Sequence, residues 1–177
     1  MQEIIADHFL SINSKKMKSA FRSQLDIFLS LLTVFFVVFF DRMTKSFFSD
    51  LLSVGESLPI IRNFLHMTLV HNTGIAFGLF KDKGIVFLVI PVIAIILLVY
   101  NIYYYKYNEQ KLSRVYIVAF SLILGGAIGN LIDRISFGYV IDFIDFRVWP
   151  VFNLADSAIT IGAVIIAIKC IPILDKN

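Results

Sequence analysis

The sequence has few charged residues. Asp, Glu, Lys and Arg make up 16% of its 177 residues, whereas a typical soluble domain carries about a quarter. Hydrophobic residues make up 58%, and this imbalance predicts an integral membrane protein. The single cysteine, Cys170, excludes an internal disulfide. The formal net charge is only +3, and no basic stripe interleaved with aromatic residues is present, so we expect no nucleic-acid partner.

Several catalytic and metal-binding motifs are also missing. The sequence has no H-E-x-x-H motif and no cysteine pair, and His66 and His71 lie in a stretch of strand-like alternation. We therefore expect no metal site and no cofactor. There is no G-x-S-x-G motif, and the lone Cys170 falls in an apolar segment. Catalysis by a nucleophilic serine or cysteine is therefore not expected.

Four apolar runs stand out, at about residues 25–40, 85–105, 115–132 and 157–174. A helix needs about 20 residues to cross the hydrocarbon core, and a backbone in lipid must satisfy its own hydrogen bonds. We predict four transmembrane helices in one domain, residues 25–174, after a polar cytoplasmic tail, residues 1–24. The first run is short and follows basic residues, like a signal peptide. It lacks a small-x-small cleavage site, so we interpret it as a retained helix.

The positions of Lys and Arg predict the orientation. Four basic residues precede the first run, and three lie in the short link at residues 106–114. Both segments are expected in the cytoplasm, so residues 41–84 and 133–156 face outward and both termini lie inside. Residues 60–80 alternate in polarity and contain an Asn72-Thr-Gly74 turn signal. This pattern predicts short strands on the outer membrane surface.

Two short patterns place polar residues at the predicted outer helix ends. Asn130 and Arg134 are one turn apart on the same face, and Asp133 lies within reach of Asn130. Arg134 fits either a polar site or an anchor among lipid headgroups. Asp41 and Lys45 also have i, i+4 spacing. From the residues alone, we interpret that second pattern as an ordinary ion pair at a helix end.

Carboxylates precede the last apolar run. Two Asp residues held close together at a bilayer edge do not both ionise comfortably, so one keeps a proton while the other acts as a base, as in an aspartic protease. Simpler interpretations compete with this one. Asp142 and Asp145 fit solvated loop residues, and either Asn153 or Asp156 fits the N-cap of the last helix. The residue types alone leave these alternatives open.

Five motifs follow one another between residues 41 and 162. They are Asp41-Arg-Met-Thr-Lys45, Asn72-Thr-Gly-Ile-Ala-Phe77, Gly125-Gly-Ala-Ile-Gly-Asn130-Leu-Ile-Asp-Arg134, Gly138-Tyr-Val-Ile-Asp142-Phe-Ile-Asp-Phe146 and Phe152-Asn-Leu-Ala-Asp156-Ser-Ala-Ile-Thr-Ile-Gly162. In this order they resemble the lipoprotein signal peptidase family, also called signal peptidase II. One departure is Gly74-Ile-Ala-Phe77, where the family usually has Gly-Ala-Ala-Phe.

The resemblance implies an aspartic endopeptidase of the bacterial cytoplasmic membrane, active on the extracytoplasmic side. Such an enzyme removes signal peptides from prolipoproteins just before a diacylglyceryl-modified cysteine. The implied fold is an all-α membrane protein, with four transmembrane helices and a small extracytoplasmic β-cradle between the first and second helices. We expect prolipoproteins and membrane lipids as partners, and a monomer.

The resemblance also implies roles for ten residues of this chain. Asp142 and Asp156 would be the catalytic pair. The positions around the substrate would be Asn72, Gly74, Asn130, Arg134 and Asn153, and the supporting positions would be Asp41, Lys45 and Asp133.

Three other classes of protein are weighed against this one. An ion-coupled transporter would have broken helices near the membrane midplane, whereas these carboxylates gather at one edge. A membrane phosphotransferase would need a denser array of carboxylates to hold Mg²⁺. A purely structural partner protein would not need the Asn, Arg and Asp pattern.

Overall fold

The structure, a computed structural model, describes residues 1–74, 96 and 113–170. In this part of the chain, three helices accompany a three-stranded sheet. The elements in chain order are α1 (Gln2–Leu51), β1 (Ser57–Ile61), β2 (Leu65–Asn72), α2 (Arg114–Phe137), β3 (Val140–Asp145) and α3 (Leu154–Cys170). The second predicted span, residues 85–105, lies outside the described residues except for residue 96, and so does the end of the fourth, residues 171–174.

Helix α1 is longer than the first predicted span at both ends. It begins at Gln2, within the segment predicted as a polar tail, and continues to Leu51. The prediction stopped at residue 40 because Asp41 and Lys45 are charged, but both side chains are fully buried against the rest of the protein. The part Arg22–Leu51 and helix α2 are each long and apolar enough to cross a membrane.

Glycines allow α2 to approach the other two helices closely. A Cβ atom at Gly126 would lie 2.3 Å from the carbonyl oxygen of Ala155 on α3. A Cβ atom at Gly129 would lie 2.6 Å from the carboxylate of Asp41 on α1. Both separations are far too short for real atoms, so any side chain here would push the helices apart. These two glycines therefore bring polar groups of α1 and α3 together beside α2.

The sheet is antiparallel, in the order β1-β2-β3. The prediction of short strands in residues 60–80 agrees with β2, and β1 begins slightly earlier. We had expected the sheet to lie entirely between the first two predicted spans, but it extends beyond that loop. Its third strand comes from residues 133–156, which we had interpreted as loop. The β3 backbone gains ladder partners from β2, with Asp142 opposite Val70 and Ile141 opposite His71.

The end of α1 packs on one face of the sheet. Leu52, Leu69 and Ile141 form a buried cluster there. The ring of Phe48 stacks on that of Phe143, with centroids 4.5 Å apart. These contacts join β3 to the end of α1 and so hold the residues of β3 in a defined place.

Candidate active site

The carboxylate of Asp142, on β3, is buried and held by two side-chain amides. Its Oδ2 accepts a hydrogen bond from Asn72 Nδ2 at 2.8 Å, and its Oδ1 accepts one from Asn153 Nδ2 at 2.7 Å. The other end of the Asn72 amide is also engaged, because its Oδ1 accepts the backbone N–H of Gly74 at 2.9 Å. The Asn-x-Gly turn therefore aims the NH₂ group of Asn72 at Asp142.

The chain returns from β3 to α3 through a short backbone pairing. Ile144 and Phe152 exchange N–H···O bonds of 2.8 and 3.1 Å, which places the start of α3 beside β3. Asn153 Oδ1 accepts the backbone N–H of Asp156 at 2.9 Å, and Asp156 Oδ2 accepts the N–H of Asn153 at 3.4 Å. This is a reciprocal capping box. Asn153 is thus the N-cap, and Asp156 lies in the first turn.

Asn130 and Asn153 link the two carboxylates. Asn130 Nδ2 donates to Asp156 Oδ1 at 2.7 Å, while Asn130 Oδ1 accepts from Asn153 Nδ2 at 3.0 Å. The same Asn153 NH₂ group donates to Asp142. Carboxylates from β3 and α3 therefore belong to one continuous hydrogen-bonded group, although 13 positions (156 − 142 − 1) separate them in the sequence.

The surroundings of Asp142 favour its protonated form. Burial, followed by the negative charge of Asp156, raises the pKa of Asp142 from 3.8 to about 7. The hydrogen bonds from Asn72 and Asn153 and the charge of Lys45 oppose this rise without cancelling it. Near neutral pH the Asp142 carboxyl can therefore hold or release a proton, as an acid–base catalyst requires.

A buried ion-pair network lies next to these amides. The Nζ of Lys45 is 2.8 Å from a carboxylate oxygen of Asp41, 2.8 Å from one of Asp133, and 3.0 Å from Asn130 Oδ1. Arg42 pairs with the other oxygen of Asp133. Asp41 and Lys45 do form the predicted i, i+4 ion pair, but both are 0% exposed and α1 continues to Leu51, so it is not an ordinary pair at a helix end. Arg42 was missed, because its partner lies 91 residues away.

The same network is tied to the elements that carry the two central carboxylates. Asp41 Oδ1 accepts the backbone N–H of Ala155, in the first turn of α3, at 3.1 Å. Asp133 Oδ2 accepts the backbone N–H of Ile141, next to Asp142 on β3, at 3.2 Å. The network thus connects α1 and α2 with both β3 and α3.

Arg134 lies one turn beyond Asn130 on α2, as predicted. Its Nη1 donates to the backbone carbonyl of Asn130 at 3.3 Å, and the side chain is half-buried. The guanidinium is close enough to Asp156 and Asp142 for a charge–charge interaction with each. A cation therefore stands beside the carboxylate pair.

Asp145, the second carboxylate of β3, belongs to a different polar group. It accepts hydrogen bonds from Thr68 Oγ1 at 2.7 Å and from the backbone N–H of Arg147 at 2.8 Å. Burial acts to raise the pKa of Asp145, but these hydrogen bonds and the Arg147 charge lower it below its usual value. Arg147 also donates to Ser57 Oγ at 3.0 Å and contacts His66 Nδ1 at 2.7 Å. None of these contacts was predicted from the sequence.

All ten residues to which the resemblance gave a role lie in one connected region of the structure, where α1, α2, α3 and the sheet meet. They are Asp41, Lys45, Asn72, Gly74, Asn130, Asp133, Arg134, Asp142, Asn153 and Asp156. The arrangement places a buried carboxyl that can be protonated near a second, partly buried carboxylate, and this pair suits general acid–base chemistry.

Known proteins are similar to this chain in sequence and in fold. Residues 33–172 match the family model described as "Signal peptidase (SPase) II". The chain is 47% identical to the lipoprotein signal peptidase of Halothermothrix orenii over 135 residues, 76% of this chain and 90% of that protein. It is 46% identical to the one from Caldanaerobacter subterraneus subsp. tengcongensis, with coverages of 78% and 92%.

Solved structures give the same result. A bacterial membrane enzyme, determined by the in meso method at 2.3 Å resolution, matches with a TM-score of 0.71 and 38% identity over 79% of this chain and 85% of that chain. Another, at 1.9 Å resolution, gives a TM-score of 0.70 and 37% identity over 81% and 92%.

Proposed function

The chain belongs to the signal peptidase II family of bacterial membrane peptidases, and from this premise we propose that it removes signal peptides from prolipoproteins by means of Asp142 and Asp156. Cleavage takes place just before the diacylglyceryl-modified cysteine. The observation that carries the proposal is that the amides of Asn130 and Asn153 link these two carboxylates, from β3 and α3, in one hydrogen-bonded cluster. The raised pKa of Asp142 supports it.

The reaction needs one ionised and one protonated carboxyl. The ionised group takes a proton from water while the water oxygen bonds to the scissile carbonyl carbon, and the protonated group donates to the carbonyl oxygen. The resulting tetrahedral diol collapses when the C–N bond breaks and the leaving nitrogen receives a proton. Asn72, Asn130 and Asn153 hold the carboxylates in place for these transfers.

The other residues of the site have roles in binding and support. Arg134 donates through a rigid planar fork, which suits the backbone carbonyls of a bound peptide. Asn72 and Gly74 form the turn at the end of β2, where a substrate passing the sheet would meet them. Asp41, Lys45 and Asp133 support the site from within the protein.

The placement of the helix ends supports a site at one membrane edge. The C-terminal part of α1, the C-terminal part of α2 and the start of α3 lie beside the carboxylate pair, through Asp41 and Lys45, Asn130 and Asp156 respectively. With the amino terminus in the cytoplasm, this edge is extracytoplasmic in the bacterial cytoplasmic membrane. The diacylglyceryl chains of a substrate can then stay in lipid while its peptide reaches the carboxylates. We propose that the enzyme works there as a monomer among membrane lipids, with both termini inside.

Cysteine labelling in intact cells tests this orientation. With Cys170 replaced by serine, a cysteine introduced at Ser53 or Ser136, both exposed, should react with a membrane-impermeant thiol reagent. A cysteine introduced at Asn108, in the basic link, should not react. Labelling at Asn108 alone would invert the topology and place the carboxylates in the cytoplasm.

The activity is tested with two matched peptides that differ only in the diacylglyceryl group on the cysteine. Purified protein in lipid nanodiscs, without added metal, should cleave the modified peptide immediately before that cysteine, as read by mass spectrometry. The unmodified peptide should remain intact. Equal cleavage of both peptides, or none of either, would contradict the proposed function.

A further inference from the structure

Lys45 makes one contact that charge balance does not require. Asp41, Lys45 and Asp133, which are buried, and the partly exposed Arg42 form a network with two positive and two negative charges. The ammonium of Lys45 also donates to the amide oxygen of Asn130 at 3.0 Å. This third contact adds nothing to the charge balance, but it connects the network to an amide that touches the carboxylate pair.

Asn130 connects the ammonium of Lys45 to Asp156 through two hydrogen bonds. An amide whose oxygen accepts a hydrogen bond from a cation becomes a stronger N–H donor, because neighbouring hydrogen bonds polarise one another. The Nδ2 of Asn130 donates to Asp156 Oδ1 at 2.7 Å. Asp156 also accepts the backbone N–H of Asn153 and lies in the first turn of α3, where the helix dipole favours a negative charge.

Asp142 has weaker support for a negative charge. It lies on a strand, and sheets have only small net dipoles. It has two amide donors, Asn72 and Asn153, and the Oδ1 of each accepts a neutral backbone N–H, from Gly74 and Asp156 respectively, rather than a cation. Asp142 is also only 1% exposed, so its ionised form gains little from solvent. The two carboxyl groups of the pair are therefore not equivalent.

We infer that Lys45 is a positioning residue that acts through Asn130 to keep Asp156 ionised, so that Asp142 holds the shared proton. This inference rests on the proposed function. Asp156 would then take the proton from water, and Asp142 would donate its proton to the scissile carbonyl oxygen. When the diol collapses, Asp142 takes a proton back from a diol hydroxyl, Asp156 gives its proton to the leaving nitrogen, and the starting state returns.

Other charged groups also face Asp156. Asp142 faces it from β3 and Arg134 from α2, while Asp41 of α1 contacts the neighbouring backbone N–H of Ala155. Arg134 interacts with both carboxylates of the pair, so it does not decide between them. The charge of Lys45 also acts through space on Asp142 and favours its ionised form, but the hydrogen bond of Lys45 to Asn130 continues to Asp156, and this connection supplies the asymmetry.

The test compares two double variants that share Asp41→Asn and differ in the cation removed. Lys45→Met/Asp41→Asn removes the contact to Asn130, and Arg42→Met/Asp41→Asn keeps it. Each loses one charge of each sign, so the network stays balanced. The measurement is kcat/KM against pH with the diacylglyceryl-modified peptide, where the acid limb reports ionisation of the base. The Lys45 variant should move that limb up by about one pH unit, and the Arg42 variant should leave it near wild type.

Equal shifts in both double variants, or no shift in either, would reduce Lys45 to a structural role. If thermal unfolding shows that the Lys45 variant is not folded, Asn130→Ala takes its place, since it breaks the same relay and leaves the ion pairs intact. An unmoved acid limb in Asn130→Ala would overturn the inference. Asp142→Asn separates the two proposals. Normal turnover in this variant would refute the proposed function. If Asp142→Asn is inactive but neither double variant moves the acid limb, only the proposed role of Lys45 is refuted.

Discussion

Strand β3 carries two buried carboxylates, Asp142 and Asp145, whose surroundings shift their pKa values in opposite directions. Their exposed fractions are 1% and 6%, so neither side chain lies open to solvent. The pKa of Asp142 is raised to about 7 by burial and by the charge of Asp156. Burial also acts to raise the pKa of Asp145, but the hydrogen bonds from Thr68 and the Arg147 backbone, together with the Arg147 charge, lower it.

Asp142 is therefore suited to proton transfer, whereas Asp145 is suited to a structural role. A second negative charge faces Asp142, so a proton remains within reach at neutral pH. A guanidinium and a hydroxyl face Asp145, so it stays an anion that holds the turn after β3. Two Asp residues only three positions apart thus differ in ionisation because their surroundings differ: burial and a facing carboxylate raise the pKa of Asp142, whereas hydrogen bonds and a cation lower that of Asp145.

The largest expected effect is the loss of cleavage in Asp142→Asn and Asp156→Asn. Neither variant can pass a proton between two carboxyl groups, so kcat/KM should fall by at least about 100-fold. Assays with the diacylglyceryl-modified peptide measure this fall, and thermal unfolding checks that each variant is folded. Near-normal turnover in Asp142→Asn would show that cleavage does not need Asp142, and the proposed difference between the two carboxylates of β3 would be wrong.

Protonation of Asp142 predicts the alkaline side of the pH profile. Activity should fall as pH rises through about 7, by about tenfold for each further pH unit. The raised pKa also makes a stability contribution that is present below about pH 4 and is lost as pH rises through 7. The Tm of Asp142→Asn relative to wild type should therefore rise over that window. A flat kcat/KM between pH 6 and 9 would contradict the assignment.

Arg134 tests whether the cation beside the pair binds substrate or only anchors the helix in headgroups. If it holds the peptide, Arg134→Lys should lose nearly as much kcat/KM as Arg134→Ala, because lysine keeps the charge but lacks the planar fork. The loss of one charge-assisted hydrogen bond, about 1.5–3 kcal/mol, corresponds to roughly 10- to 100-fold. A lysine variant within about twofold of wild type, at equal folded fraction, would make Arg134 an anchor.

The smallest effect on activity is expected for Asp145→Asn. The substitution keeps an oxygen for the backbone N–H of Arg147 but weakens the hydrogen bond from Thr68. It should lower the free energy of unfolding by about 1 kcal/mol and change kcat/KM by less than about threefold. A loss as large as that in Asp142→Asn would remove the distinction between the two carboxylates.

Much of the fold follows from hydrophobic periodicity. The apolar run at 115–132 corresponds to α2, and the alternation of polar and apolar residues predicted β2. The end of α1 was misplaced because hydropathy treats Asp41 and Lys45 as solvent-exposed, whereas partners on α2 bury both. Strand β3 was interpreted as loop, since its residues are nearly all buried and show no simple alternation.

The candidate site was harder to predict from the residues alone. Residue types left Asn153 and Asp156 as competing N-caps, and the structure gives both a place in one capping box. The resemblance to a known family supplied the pairing of Asp142 with Asp156. Arg42 and Arg147 were not predicted, because a cation shows no preference for a distant partner until the chain has folded.

Carboxyl titration is the most direct test of the difference between Asp142 and Asp145. The protein, labelled with ¹³C at the Asp carboxyl carbons and held in nanodiscs, is titrated by NMR, with assignments from Asp142→Asn and Asp145→Asn. We expect a midpoint of about 7 for Asp142 and one below the usual 3.8 for Asp145. If both groups titrated together near 3.8, Asp142 would be an ordinary anion, and the account of the site would be contradicted.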